Sequence, residues 1–177
     1  MKNTFVTAEF KKYIKDSFKK NASVVTEIDN NVYYLATDYF IFRTDAETFN
    51  AEILPVLNME KIPNVPFNHS GFRCPSPKHV YEITSTGKKT VSKTPASLSL
   101  PAGNKSYFVD VFKCENNGIL INEKFISLFN FENAALFSAG KPTDPVLVQT
   151  PKGSIIICPV RCPANSINLV NAIVSAS

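Results

Sequence analysis

The sequence has no tryptophan, two histidines and six glycines among its 177 residues. The glycines stand singly. A phosphate loop or a dinucleotide fingerprint needs several glycines at short fixed spacing, so that backbone N–H groups can close on a phosphate, and neither pattern occurs. His69 and His79 are the only imidazoles, and both fall in one proline-rich stretch. No Gly-x-Ser-x-Gly elbow is present to expose a serine nucleophile. No apolar run approaches the ~18 residues of a membrane span. The opening MKNTFVTAEFKKYIKD also lacks the apolar stretch and small-residue cleavage site of a secretory leader. The expected setting is therefore the cytoplasm, with no membrane partner. The four cysteines (Cys74, Cys114, Cys158, Cys162) are expected as free thiols rather than disulfides. One sign of charge barely outweighs the other: 19 Lys and Arg stand against 15 Asp and Glu, a net +4. That surplus permits nucleic-acid binding without requiring it, because clustering matters more than the total.

What remains is a core-forming composition. Apolar residues make up 44% and charged residues 19%, and the length suits one domain spanning 1–177. Residues 7–21, TAEFKKYIKDSFKKN, predict a helix: Thr7 is an N-cap, and Phe10, Ile14 and Phe18 recur every fourth residue. SVVTEID (23–29) and VYYLATDYFIFRTD (32–45) read as strands around an Asp-Asn-Asn turn, and 46–59 as a short helix ended or bent by Pro55. Residues 60–105 change character. Six of the twelve prolines (Pro63, Pro66, Pro75, Pro77, Pro95, Pro101) lie there. The segment reads as a proline-rich insertion or an irregular segment, with one short strand at HVYEITS (79–85) and a hairpin through Thr86-Gly87-Lys88. SYFVDVFKC (106–114) and GILI (118–121) read as strands, and Asn122 caps a helix, EKFISLFNF, that puts Phe125, Leu128 and Phe129 on one face. AALFSA (134–139) is a strand, and PVLVQ and SIIICPV form a hairpin about TPKG. The uncharged tail PANSINLVNAIVSAS reads equally as a docking helix, a strand or a frayed end. The order gives an α+β class, a mainly antiparallel sheet with two packed helices.

Four constellations could carry chemistry. His69, Cys74 and His79 stand five apart, and Cys158 and Cys162 four apart, neither of which matches the short paired spacings of zinc sites. No metal and no cofactor is expected. A Cys–His pair built from Cys114 or Cys74 with His69 or His79 is the thiol-hydrolase reading, with nothing in the spacing to favour it. Asp38 with Asp45 or Glu47 suits turn capping better than acid–base work. The fourth is the basic row of the first helix: Lys11, Lys15 and Lys19, with Lys12 and Lys20 beside them. It reads either as a solvated helix face or as a surface laid along a phosphate backbone. No aromatic residue is expected to stand exposed between the lysines, so single-strand stacking is not expected.

The stretch ILINEKFISLFNFENAALFSAGKPTDPVLVQTPKGSIIICPVR (119–161) resembles the closing module of a bacterial sliding-clamp domain. The matching parts are the helix from Asn122 to Phe129, then Pro145-Val146-Leu147-Val148, then Cys158-Pro159-Val160-Arg161, with Cys158 where methionine is usual. Upstream, LATDYFIFR (35–43) is similar to the Ala-Thr-Asp-Gly-x-Arg-Leu segment of clamp domains, with Tyr39 where glycine is usual and Arg43 displaced. A bacterial clamp chain carries three such domains, and this chain has room for one plus the insertion. The resemblance implies a DNA-clamp-like fold and a non-enzymatic protein that meets double-stranded DNA or the replication machinery, of phage or mobile-element origin. It also implies that the chain assembles with copies of itself or a protein partner. Under it, Lys11, Lys12, Lys15, Lys19 and Lys20 become the DNA-contacting set. The alternative is a structural or protein-interaction module, such as a phage accessory protein, with no nucleic-acid role.

Overall fold

Thr7 starts the first helix as its side-chain chemistry dictates. The computed structural model describes residues 6–20, 22–57, 59–60, 62, 66–68, 75–86, 89–131 and 133–177, and in it Thr7 Oγ1 accepts the Phe10 N–H at 3.2 Å. Helix α1 (Ala8–Lys19) buries Phe10, Ile14 and Ser17. A meander follows, of β1 (Val25–Asp29), β2 (Val32–Ala36) and β3 (Phe40–Asp45). Asn30 and Asn31 take positive φ at the first turn, as asparagine tolerates. Asp45 caps α2 (Ala46–Glu52) by accepting the Thr48 N–H at 2.7 Å, the turn-capping role read from sequence. One further turn, α3 (Leu54–Leu57), follows. Then come β4 (Phe67–Asn68), α4 (Pro77–Thr84), β5 (Lys89–Thr90), and the long strands β6 (Ser92–Ala102) and β7 (Lys105–Cys114). The chain closes with β8 (Asn117–Asn122), α5 (Glu123–Ile126), β9 (Ala135–Ser138), β10 (Val146–Thr150), β11 (Gly153–Ile157) and α6 (Ile167–Ala176).

The class is α+β. Among the described residues the strands form an eight-stranded sheet, β4-β1-β2-β3-β11-β10-β9-β5, and a three-stranded sheet, β6-β7-β8, antiparallel throughout. The larger sheet is a palindrome. Its central pair is β3 with β11, in the register Phe42 to Ile155 and Phe40 to Ile157. Outward from that seam run the meanders β3-β2-β1 and β11-β10-β9, and a two-residue strand closes each edge. Each meander follows a helix, α1 in one half and α5 in the other.

Alternation assigns the two faces. Leu35, Phe40, Phe42, Val146, Val148, Ile155 and Ile157 face α1, α2, α3 and α5 in the main core. The intervening Tyr34, Ile41, Leu147 and Ile156 face the opposite way, toward Tyr81 of α4. Phe112, Cys114, Ile119 and Ile121 join the main core from the smaller sheet, whereas Val109, Val111 and Leu120 on its other face hold Val170 and Val174 of α6. The tail thus resolves as a docked helix.

Several expectations need correction. HVYEITS is the body of α4, not a strand: Ser76 Oγ accepts the His79 N–H at 3.2 Å, and Pro77 occupies the first turn, where no donor is needed. Residues 60–105 are less irregular than their prolines imply, since β6 runs through Pro95 and Pro101. Pro95 falls in the register break between Lys93 and Ser97, where no ladder pair forms, and Pro101 lies on an edge strand, where a missing N–H on the open side costs no ladder bond. The single strand over 32–45 is two strands, because Thr37 Oγ1 accepts the Tyr39 and Phe40 N–H groups and closes a turn. The helix over 46–59 is broken into α2 and α3, and the Asn122-capped helix is one turn long. Pro145 sits just outside β10, an interior strand of the larger sheet. The turn at Gly87-Lys88 lies outside the described residues.

Glu27 of β1 reaches across to the start of α4. Its Oε2 accepts Ser76 Oγ at 2.5 Å and the Lys78 N–H at 2.9 Å. A carboxylate at a helix N-terminus meets both the free donors and the positive end of the dipole. Glu27→Ala is expected to cost about 1–2 kcal/mol, measured as a lower midpoint in urea unfolding.

Candidate nucleic-acid interface

The basic row lies on α1, and packing decides which lysines remain available. Phe10 and Ile14 turn one stripe of the helix into the sheet, so Lys12, Lys15, Lys19 and Lys20 are exposed on the other. Among the described residues these four make no ion pair. Lys11 differs: its Nζ donates to Glu52 Oε2 of α2 at 2.9 Å, and the ammonium is half-buried there. Its charge is committed to the fold. The five-lysine set expected from sequence therefore divides into four free cations and one structural ion pair.

Helix α5 adds a cation that sequence reasoning missed. Thr7 Oγ1 and the Thr7 N–H both donate to the Leu128 carbonyl, at 3.0 and 3.1 Å, tying the start of α1 to the turn after α5. Phe10 and Phe129 meet at 5.1 Å, and Tyr13 meets Phe125 edge to face at 6.1 Å. The two helices therefore share one face of the sheet. On that face the Lys124 ammonium stands 4.8 Å above the Tyr13 ring, a cation–π contact. Phe125 points inward, and Lys124, its neighbour, is exposed.

A hollow of about 530 Å³ opens between α1, the β2–β3 turn and α5. Lys12, Lys20 and Lys124 line it, opposed by Glu9, Asp16 and Asp38. A second hollow of about 440 Å³ adjoins it at Tyr13, Tyr39 and Lys124, and adds Tyr107 and Cys158. Tyr39 is 49% exposed although its ring stacks on Phe125 at 4.8 Å and 24°. Its carbonyl accepts the Cys158 N–H at 2.9 Å, which fixes the turn against the end of β11. Burial pushes the Tyr13 hydroxyl above the usual tyrosine range, with hydrogen bonds to Thr37 and Ser17 pulling the other way. The phenol is therefore a neutral donor in this wall at ordinary pH.

Compared with known proteins, the chain matches no family model, no curated protein and no solved structure.

The other candidates do not assemble. His69 and Cys74 lie outside the described residues, and His79 is exposed on α4. Among the described residues no three His, Cys, Asp or Glu side chains gather as a metal site. Cys114 is fully buried, and desolvation, reinforced by Glu115, raises its thiol. Desolvation also raises the thiols of Cys158 and Cys162, even though Cys158 is exposed as a residue. A raised thiol pKa removes thiolate, the nucleophilic form. Asp38 sits in the hollow while Asp45 caps α2, so they serve different places. No described helix is long and apolar enough to cross a membrane.

Proposed function

We propose that the chain is a non-enzymatic, clamp-like protein associated with DNA, whose first helix rests on the phosphate backbone of a duplex. The observation that carries this is the exposed row Lys12, Lys15, Lys19 and Lys20, held on a helix whose opposite stripe is locked into the core, with Lys124 of α5 on the same face of the sheet. Cations on a rigid element meet phosphates without reading bases, and each neutralised phosphate releases a counterion. The likeness of residues 35–43 and 119–161 to clamp domains supports the same reading. One chain supplies one such unit, so encircling a duplex requires assembly with further copies.

The test is duplex binding followed across salt concentration by fluorescence anisotropy. The wild-type protein is expected to bind a blunt duplex at low salt and to weaken steeply as salt rises. Lys15→Glu/Lys19→Glu should flatten that slope by about one unit per lost phosphate contact. Lys11→Ala should leave it unchanged, because that ammonium belongs to Glu52. Equal slopes for the wild type and the double variant would remove the reading.

The alternative of an interaction module draws on α6, which carries no charge and leaves Ile167 and Leu169 exposed. A self-assembled solution mass that is unchanged by added duplex would favour it.

A further inference from the structure

We propose that the paired hollows around Tyr39 and Lys124 form a site for unpaired nucleotides, in which a base of single-stranded DNA or RNA stacks on Tyr39 and its phosphate meets Lys124. This rests on the nucleic-acid reading above and adds a strand form that a bare lysine row would not select. The aromatic residues between the α1 lysines, Tyr13 and Phe18, are partly buried against the core. Folding brings further rings beside Tyr13: Tyr39 from the β2–β3 turn and Tyr107 from β7.

Tyr39 has the features of a stacking platform. Half of the residue is open to solvent, yet the ring is backed by Phe125, which is buried with Phe40 in the core, and the turn is pinned by the Cys158 N–H. A ring held in place from behind loses little freedom when a base covers its open side. Every base has a π-face, so such stacking is tolerant of sequence. A base inside a duplex is covered on both faces by its neighbours and cannot take that position.

Charge divides the two hollows. In the larger, Lys12, Lys20 and Lys124 are balanced by Glu9, Asp16 and Asp38, so it is a poor well for a bare polyphosphate. Carboxylates there accept hydrogen bonds from the exocyclic amines of bases. In the smaller hollow Lys124 is the one charged side chain among the described residues, set beside Tyr39 and Tyr107. Phosphate is thus directed to Lys124, and bases to the rings on either side of it. From there the strand continues toward Lys15 and Lys19, outside both hollows.

The experiment compares a fluorescein-labelled oligo-dT with a labelled blunt duplex on the full chain, by anisotropy at low salt. Wild-type protein should bind oligo-dT. Tyr39→Leu keeps an apolar contact for Phe125 and removes the platform, so it should weaken oligo-dT about tenfold while leaving the duplex unchanged. Tyr39→Phe should retain oligo-dT binding, and Lys124→Gln should weaken it. Equal oligo-dT affinity for the wild type and Tyr39→Leu, or no oligo-dT binding by the wild type, overturns the proposal. Duplex binding alone would leave the backbone reading in place and remove this one. Tyr39-dependent oligo-dT binding without duplex binding would do the reverse.

Discussion

Phe10→Ala is expected to lose about 3–5 kcal/mol of stability, the usual range for deleting a fully buried phenylalanine. Phe10 is 0% exposed, and its ring lies 6.0 Å from Phe40, 6.0 Å from Phe42 and 5.1 Å from Phe129. Phe40 and Phe42 belong to β3, on the seam of the palindromic sheet, and Phe129 follows α5. One side chain therefore joins the first helix, the central strand and the second half of the fold. Total stability of a domain is about 5–15 kcal/mol, so the loss is a large share. In a chain of this size it should lower the melting temperature by roughly 10 °C, read by circular dichroism. Phe18→Ala, in the same stripe but half-buried, should cost clearly less. Because α1 carries the free lysines, duplex affinity near the new melting point should fall although no lysine has changed. A melting temperature within error of the wild type would mean that the helix is not anchored through this ring.

That anchoring was legible in the sequence. The four-residue spacing of Phe10, Ile14 and Phe18 marks the buried stripe, and Thr7 marks its start. The hairpin of residues 146–157 was equally plain, since alternation and a Pro-Lys-Gly turn encode it locally. What could not be read depends on distant partners. The run HVYEITS alternates well enough for a strand, and only the Ser76-Pro77 start argues for a helix; the carboxylate that completes its cap comes from Glu27, 49 residues away. Pro95 and Pro101 argue against a strand unless it is known that Pro95 falls in a register break and that β6 lies at an edge. The palindrome left no repeat in the sequence, because each meander requires only that alternate residues be apolar, and Phe40-Ile41-Phe42 meets that condition as well as Ile155-Ile156-Ile157 does. The hollow was hidden for the same reason. Tyr39, Tyr107 and Lys124 come from three separate segments, and no spacing rule links them. The signal available was Tyr39 itself, an aromatic side chain where the resembling family has glycine.

Gly118→Val should release α6 and cost about 3 kcal/mol, as overpacking or as the lost burial of two valines. Gly118 lies in β8, beneath the helix, and a Cβ there would overlap Val170 Cγ1 and come within 3.1 Å of Val174 Cγ2. Those two valines are the buried side chains of α6, and they rest on Val109, Val111 and Leu120. The missing side chain lets helix and strand approach. Relief requires α6 to move, because β8 is fixed on its other face by Ile119 and Ile121 in the main core. A ten-residue helix without a side-chain cap bond has little stability of its own once undocked. The variant should therefore lose helical dichroism, expose apolar surface to a hydrophobic dye, and become open to proteolysis beyond Arg161. Gly118→Ala combined with Val170→Ala makes room from the opposite side and should recover most of the docking. The row on α1 lies across the core from this contact, so duplex and oligo-dT binding should survive in Gly118→Val at temperatures where the sheet is intact. Wild-type resistance to proteolysis in that variant would show that α6 is held by something other than this close approach.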